Sequence, residues 1–304
     1  MNKIRNLPAS AWITLALLAA SVEPIVAKFA FRLNAEPLQL IALKNILGAF
    51  FVLPLLLKWL RKGQGSGAGQ MAFAGLLLFA TNSLTLLSLQ RLSVVLLITI
   101  VTCVPALVAI LNSMIGRDRL GPKFWLGFLM CFGGIVLTLD FKDISLNLDG
   151  VIYALAAAVS SSIYRVRMEI ICERENPASA AAISYFSQGL ASLAILPWAL
   201  PFAASTVFFG CWIGISAALA NIAFVYALNM VGATRISVLT MTQRQLLIIA
   251  AAVLLHETVT NIQILGIALV MTGIQLAQVQ RQLSKCSPAE MPASKKATDE
   301  SVAN

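Results

Sequence analysis

Few residues in this chain of 304 could do chemistry, and most of them interrupt long apolar runs. The segment Leu239 to Ile249 reads LTMTQRQLLII, which places Arg244 between two amides, Gln243 and Gln245. Glu23, followed at once by Pro24, breaks a second apolar run, and Lys44, Asn82 and Asn221 break three others. A planar guanidinium with amides beside it suits a carboxylate or phosphate, which it can hold through two parallel N–H bonds. A carboxylate in the same surroundings suits an ammonium group or a proton. Two cations, Arg244 and Lys44, stand against the one carboxylate of Glu23. That surplus of positive charge selects a zwitterionic or carboxylate-rich ligand and disfavours a uniformly cationic one.

Catalysis is poorly provided for. The chain has one histidine, and His256-Glu257 begins like a zinc-binding HExxH, but the position of the second histidine holds Thr260. No Ser/His/Asp set, glycine-rich phosphate loop or paired carboxylates occur. The five cysteines, Cys103, Cys131, Cys172, Cys211 and Cys286, lack metal-ligand spacing and read as small apolar fillers. The expectation is a protein that is not an enzyme, with no cofactor and no bound metal.

The elements that must position these polar groups follow from composition. Hydrophobic residues make up 59% of the chain, charged residues 12%, and the mean hydropathy is +0.85. A soluble domain has about a quarter of its residues charged, so the bilayer must do the burying here. Spanning the hydrocarbon takes about 20 apolar residues per helix. Ten such runs are expected near 11–31, 38–57, 70–88, 94–115, 122–139, 149–168, 177–197, 207–228, 234–255 and 261–280. The fold class is thus an all-α integral membrane protein of ten transmembrane helices, and the first run is too long to be a cleaved signal peptide.

The net charge of +9 could indicate nucleic-acid binding, but the Lys and Arg residues alternate between helix ends. With a cytoplasmic N-terminus, fifteen of them fall on the inner side, from Lys3 and Arg5 to Lys295 and Lys296. Arg32, Arg91 and Lys142 fall outside. This positive-inside bias and an even helix count put both termini in the cytoplasm. Nucleic acid is excluded as a partner; the bilayer and a small metabolite are retained. Residues 1–10 form a cytoplasmic N-terminus, and 281–304, polar and Pro-containing, read as a disordered tail.

Depth brings the polar residues to one layer. Glu23 lies roughly 18 Å and Arg244 roughly 15 Å from the cytoplasmic ends of their helices, and Asn82 and Asn221 roughly 18 Å into theirs. Lys44 is roughly 9 Å from the outer end of its helix, within side-chain reach of the same level. Structural readings stand beside the functional ones. Glu23 and Arg244 could form an ion pair, Asn82 and Asn221 could join neighbouring helices, and Lys28, Arg165 and Arg167 lie close enough to span ends to snorkel. The GxxxG formed by Gly210 and Gly214 reads as close packing. Pro24 and Pro105 each remove a helical hydrogen bond, so their helices should bend.

A shift of 139 residues superposes Asn82 on Asn221, Gly127 on Gly266, Gly134 on Gly273, Asp118 on Glu257 and Lys28 on Arg167. It also lays GFLMCFGGIVL over GIALVMTGIQL. Duplication of a five-helix unit is implied, covering 11–139 and 149–280, and an odd helix number inverts the second copy.

These stretches, LQRLSVVLLITIVTCVPALVAIL running into GRDRLGPKFWLGFLMCFGGIVL and the echo LNMVGATRISVLTMTQRQLLIIAAAVLLHETVTNIQILGIALVMTGI, resemble the drug/metabolite transporter superfamily, specifically its EamA-type ten-helix exporters. The resemblance covers about residues 10–280. It implies two inverted five-helix bundles around a central cavity, with helices five and ten peripheral, and export of small metabolites, often amino acids, purines or amino-acid-derived compounds. The family commonly carries a basic residue in helix two, where Lys44 stands. It also tends to place proline in helices four and nine; Pro105 fits, but its repeat partner is Arg244, so the second half looks specialised for its substrate. The expected function is a proton-coupled exporter of the cytoplasmic membrane. Arg244, Gln243, Gln245, Lys44, Asn82 and Asn221 would bind substrate, and Glu23 would couple protons. A flippase for a lipid-like amphiphile is the alternative.

Overall fold

A computed structural model describes residues 8–60, 67–117, 120–138, 144–254 and 260–285. The side chains of 59–60, 144–147, 232–246, 249, 252 and 277–285 are outside that description. Helices and turns account for the described residues. In chain order they are α1 (Ala9–Arg32), α2 (Pro37–Leu60), α3 (Ala68–Arg91), α4 (Val94–Val101), α5 (Val104–Met114), α6 (Pro122–Thr138), α7 (Ile144–Cys172), α8 (Pro177–Leu193), α9 (Leu196–Ala199), α10 (Ala204–Leu254) and α11 (Asn261–Lys285). Asp118, His256, Glu257 and Cys286, named above on sequence grounds, lie outside the described residues.

Among the described residues, five segments are long and apolar enough to cross a membrane: Ala9–Arg32, Pro37–Lys58, Ala68–Arg91, Val94–Met114 and Ala204–Val231. Pro122–Thr138 and Asn261–Leu276 are shorter apolar helices. Large apolar side chains such as Phe50, Met114, Phe132, Trp198 and Leu265 stand exposed, as they would facing lipid and as they could not in quantity facing water.

Local sequence sets the interruptions. The run 94–115 expected as one span is broken at Thr102 and Cys103, and Pro105 starts the second piece, where its missing N–H costs nothing. Pro24 sits within α1, which continues through it. Asn176 caps α8, its side chain accepting from the Ala178 N–H at 2.9 Å, with Pro177 at the first helical position. α11 extends to Lys285, into the first residues of the tail expected from 281, and residues 286–304 lie outside the described residues.

Packing carries the repeat into three dimensions. A Cβ at Gly134 would lie 2.6 Å from the Gly266 carbonyl oxygen, and one at Gly273 would lie 2.6 Å from that of Gly127. Both pairs sum to residue number 400, so α6 and α11 run antiparallel. The 139-residue shift turns one pair into the other, and Cys131 meets the carbonyl of Val270, its own repeat mate, at 3.5 Å. A two-fold exchange therefore relates the two helices, with its axis passing close to Cys131 and Val270. The relation recurs in the bundle centre. Gly75 of α3 backs onto Ser184 of α8, while Gly214, its mate in α10, backs onto Lys44 of α2, 2.8 Å from its carbonyl oxygen. Gly210 is as tight against Leu43, so the GxxxG of α10 is a packing surface.

Two hydrophobic clusters mark opposite ends of the bundle. One gathers Ala27 and Ala30 of α1, Leu40 and Ile41 of α2, and Leu86 and Leu89 of α3. The other gathers Trp12, Val52 and Met71 from the opposite ends of the same helices. The two spans expected at 207–228 and 234–255 fall in one helical element, Ala204–Leu254. Its course nevertheless reverses. Ile213 belongs to the first cluster, Ala217, Ala223 and Leu228 to the second, and Leu247, Ile248 and Ala251 to the first again. A straight helix would carry Ala251 roughly 57 Å beyond Ile213, so the chain turns back between Leu228 and Leu247.

Candidate functional site: a cavity between the repeats

A cavity of about 290 Å³ runs between α1, α3, α4, α7, α8 and α10. Near the Trp12 end of the bundle its wall holds Ile13, Arg165 and Phe224; Glu23, Asn82, Tyr185 and Asn221 lie further in; Leu89, Leu97 and Ile98 line the far part. Both repeats contribute. Most of the lining is apolar, so the few polar groups carry its chemistry.

Glu23 faces this cavity and is held from behind. The Lys44 ammonium donates to its Oε1, and Lys44 is fully buried while Glu23 keeps 16% of its side-chain exposure. Lys44 reaches that depth because Gly214 lets α10 press against the α2 backbone at Lys44 itself, and because Gly48, one turn on, accommodates Tyr185. Expected as a substrate ligand, Lys44 is instead the partner of Glu23 and is not part of the cavity wall. The ion pair that sequence reasoning considered for Glu23 and Arg244 is therefore supplied by a different cation. Arg244, Gln243 and Gln245 lie in α10, but their side chains are outside the described residues; Leu247, one turn further, lines the cavity.

Asn82 and Asn221 both line the cavity and both also join helices. Asn82 Nδ2 donates to Gln188 Oε1 at 2.9 Å, and Gln188 Nε2 donates to Asn45 Oδ1 at 2.6 Å, so a polar chain leads from the cavity into the contact between α2 and α8. Asn221 Oδ1 accepts from the Tyr164 hydroxyl at 2.8 Å. The buried Tyr185 hydroxyl and Asn45 Nδ2 have no hydrogen-bond partner among the described residues.

Of the three cations expected at span ends, two are there. Lys28 donates to the Leu89 and Leu92 carbonyls at 3.0 and 2.6 Å and so caps α3, as a cation should at a helix C-terminus. Arg167 is exposed. Arg165 departs from the expectation. The helix expected to stop at residue 168 continues through Glu169, Ile170 and Ile171 to Cys172, which draws Arg165 into the bundle. Its guanidinium lies 5.0 Å over the Phe224 ring, its Nη1 is buried without a hydrogen-bond partner among the described residues, and it lines the cavity. One signal was present in the sequence: the repeat mate of Arg165 is Val26, so this charge is not required by the duplicated architecture.

The same holds for the ion pair at the cavity. Glu23 is matched by Ser162 and Lys44 by Ile183, whereas Gly75, Gly127 and Gly134 recur as Gly214, Gly266 and Gly273, and Asn82 recurs as Asn221. The repeated residues build the bundle, and the unrepeated charges furnish its interior.

No curated protein sequence matches the chain. One solved crystal structure superposes with a TM-score of 0.60 at 17% identity, covering 88% of this chain and 98% of that one, which shows a shared fold. The model of the EamA-like transporter family matches twice, over residues 7–140 and 148–278. The protein is a multi-pass membrane protein, and with nearly all of it covered by those two matches, it belongs to the EamA-like transporter family.

Proposed function

We propose that this protein is a secondary active transporter, rather than an enzyme, which exports a small zwitterionic or carboxylate-rich metabolite in exchange for protons across the cytoplasmic (inner) membrane. An amino acid or an amino-acid-derived compound such as a metallophore is the substrate class. Ten crossings follow if α4 with α5 counts as one, α8 with α9 as one, and α10 as two. Residues 11–139 and 149–280 then form inverted halves, and the inner excess of Lys and Arg leaves both termini in the cytoplasm.

The observation that carries the reading is the Glu23–Lys44 pair set in the wall of a cavity shared by both repeats. An ionisable pair at such depth is costly and belongs to a pathway more readily than to a packing contact. Glu23 is the exchangeable member, since it meets the cavity while Lys44 does not. Protonation of Glu23 releases Lys44 from its partner, and deprotonation restores the pair, so the cavity alternates between two charge states. Pro24 beside it gives α1 a place to bend. Arg244, with Gln243 and Gln245, remains our candidate for holding an anionic group, and Asn82 and Asn221 for orienting the substrate. A volume of about 290 Å³ lies at the small end of ligand cavities and suits a metabolite better than an amphiphile with long chains, which disfavours the flippase alternative.

Everted membrane vesicles turn export into uptake and test the coupling. Vesicles are energised, incubated with a soluble metabolite extract of the same cells, and analysed by mass spectrometry. The expected result is uptake of at least one carboxylate-bearing metabolite, abolished by an uncoupler and by Glu23→Gln. Uptake by Glu23→Gln with unchanged uncoupler sensitivity would remove Glu23 from the coupling role.

A further inference from the structure

We infer that Arg165 is an anion-binding group of the cavity, additional to the Arg244 candidate, and helps determine which substrates it accepts; this rests on the transporter reading above. Three observations converge on it. First, the guanidinium reaches the cavity, yet Nη1 is buried with no hydrogen-bond partner among the described residues. A buried cationic donor left unpaired is destabilising, so a structural arginine would have been given a carbonyl or carboxylate. Glu23 is the sole carboxylate in the described lining, and Lys44 holds it.

Second, the aromatic face of Phe224 supports the guanidinium without using its N–H groups. A cation–π contact of this kind holds the guanidinium in place while leaving its donors for a carboxylate, which a lysine cannot bind through the same fork. The adjacent Tyr164 is tied to Asn221 and fixes α7 against α10 at this level. Third, neither member of the Arg165–Phe224 pair is repeated: their counterparts in the first half are Val26 and Thr85. The two-fold architecture stands in that half without the pair.

Position adds an order of events. Arg165 lies seven residues from the end of α7, about 10 Å, and Glu23 lies fourteen from the start of α1, about 21 Å, with both helix ends on the Trp12 side of the bundle. The anion site and the exchangeable carboxylate are thus stacked along the bundle axis. With that side facing the cytoplasm, an exported substrate meets Arg165 first and Glu23 second.

The vesicle assay with the same metabolite extract separates this inference from the reading beneath it. Vesicles with the native protein should accumulate anionic metabolites, and Arg165→Gln, compared at equal protein in the membrane, should lose them by about tenfold or more while compounds without an anionic group are spared. If the native protein accumulates nothing, the transporter reading falls and this inference with it. If native and Arg165→Gln vesicles accumulate the same anions, or if all uptake falls in equal proportion, Arg165 is not the anion site and the transporter reading stands. Should Arg165→Gln fail to reach the membrane, Arg165→Lys carries the comparison. It keeps the charge and loses the fork, so KM for the anions should rise about tenfold at an unchanged maximal rate; an unchanged KM overturns the inference.

Discussion

Removing Glu23 should damage the fold more than removing Lys44, although the two make the same bond. Lys44 has no exposure and Glu23 retains 16% through the cavity. Glu23→Ala strands an ammonium in the bundle interior, a loss of about 3–5 kcal/mol. Lys44→Met fills the same space with an unbranched apolar chain and strands a carboxylate that can take water or a proton from the cavity, a loss of about 1–3 kcal/mol. At a few degrees per kcal/mol for a chain of this size, Glu23→Ala should lower the melting midpoint by about 10 °C and Lys44→Met by about half as much. The double variant lacks both charges and should recover part of the Glu23→Ala loss, with a coupling of at least about 1 kcal/mol. Melting of purified protein in lipid nanodiscs at one fixed scan rate reads all three. Equal losses in the two single variants, or a double variant as unstable as Glu23→Ala, would refute the asymmetry of burial from which this order is derived.

Gly134→Val puts a side chain where the Gly266 carbonyl lies 2.6 Å from a Cβ, so α6 and α11 must separate; a stability loss of about 1–3 kcal/mol is expected, with Gly273→Val similar in size, measured by the same melts. Lys28→Met removes two hydrogen bonds from the end of α3 and should cost about 1 kcal/mol while leaving transport intact, since Lys28 is outside the cavity wall. If α10 makes two crossings, single cysteines at Asn229 and Val231 should react with a membrane-impermeant thiol reagent in everted vesicles and not in intact cells; the reverse pattern would contradict the topology. A tag after Asn304 should likewise be shielded in intact cells.

The repeat was the most legible feature of the sequence, because a close helix contact admits only glycine and the same contact made twice writes the same glycines twice. Gly127, Gly134, Gly266 and Gly273 announced at one offset what α6 and α11 then display. The layer of polar residues was legible for a related reason: Glu23, Asn82 and Asn221 are few and stand alone in apolar runs. Partner choice was not legible. Glu23 and Lys44 meet because Gly214 admits α10 against the α2 backbone, and no spacing along the chain expresses a contact between three helices. Arg165 was misplaced because its environment was judged from the apparent end of an apolar run. The helix continues through RVRMEIIC to Cys172, and because charged and apolar residues alternate from Arg165 to Ile170, hydropathy alone sees a boundary there.

Untargeted metabolite profiling reads whether the cavity carries a carboxylate-bearing metabolite out of the cell. Medium and cell contents are compared with and without the gene, and with the gene carrying Glu23→Gln. At least one anionic or zwitterionic metabolite should be richer in the medium and poorer in the cells when the native gene is present, and Glu23→Gln should abolish the difference. Identical profiles with and without the gene, or enrichment confined to uniformly cationic compounds, would contradict this export.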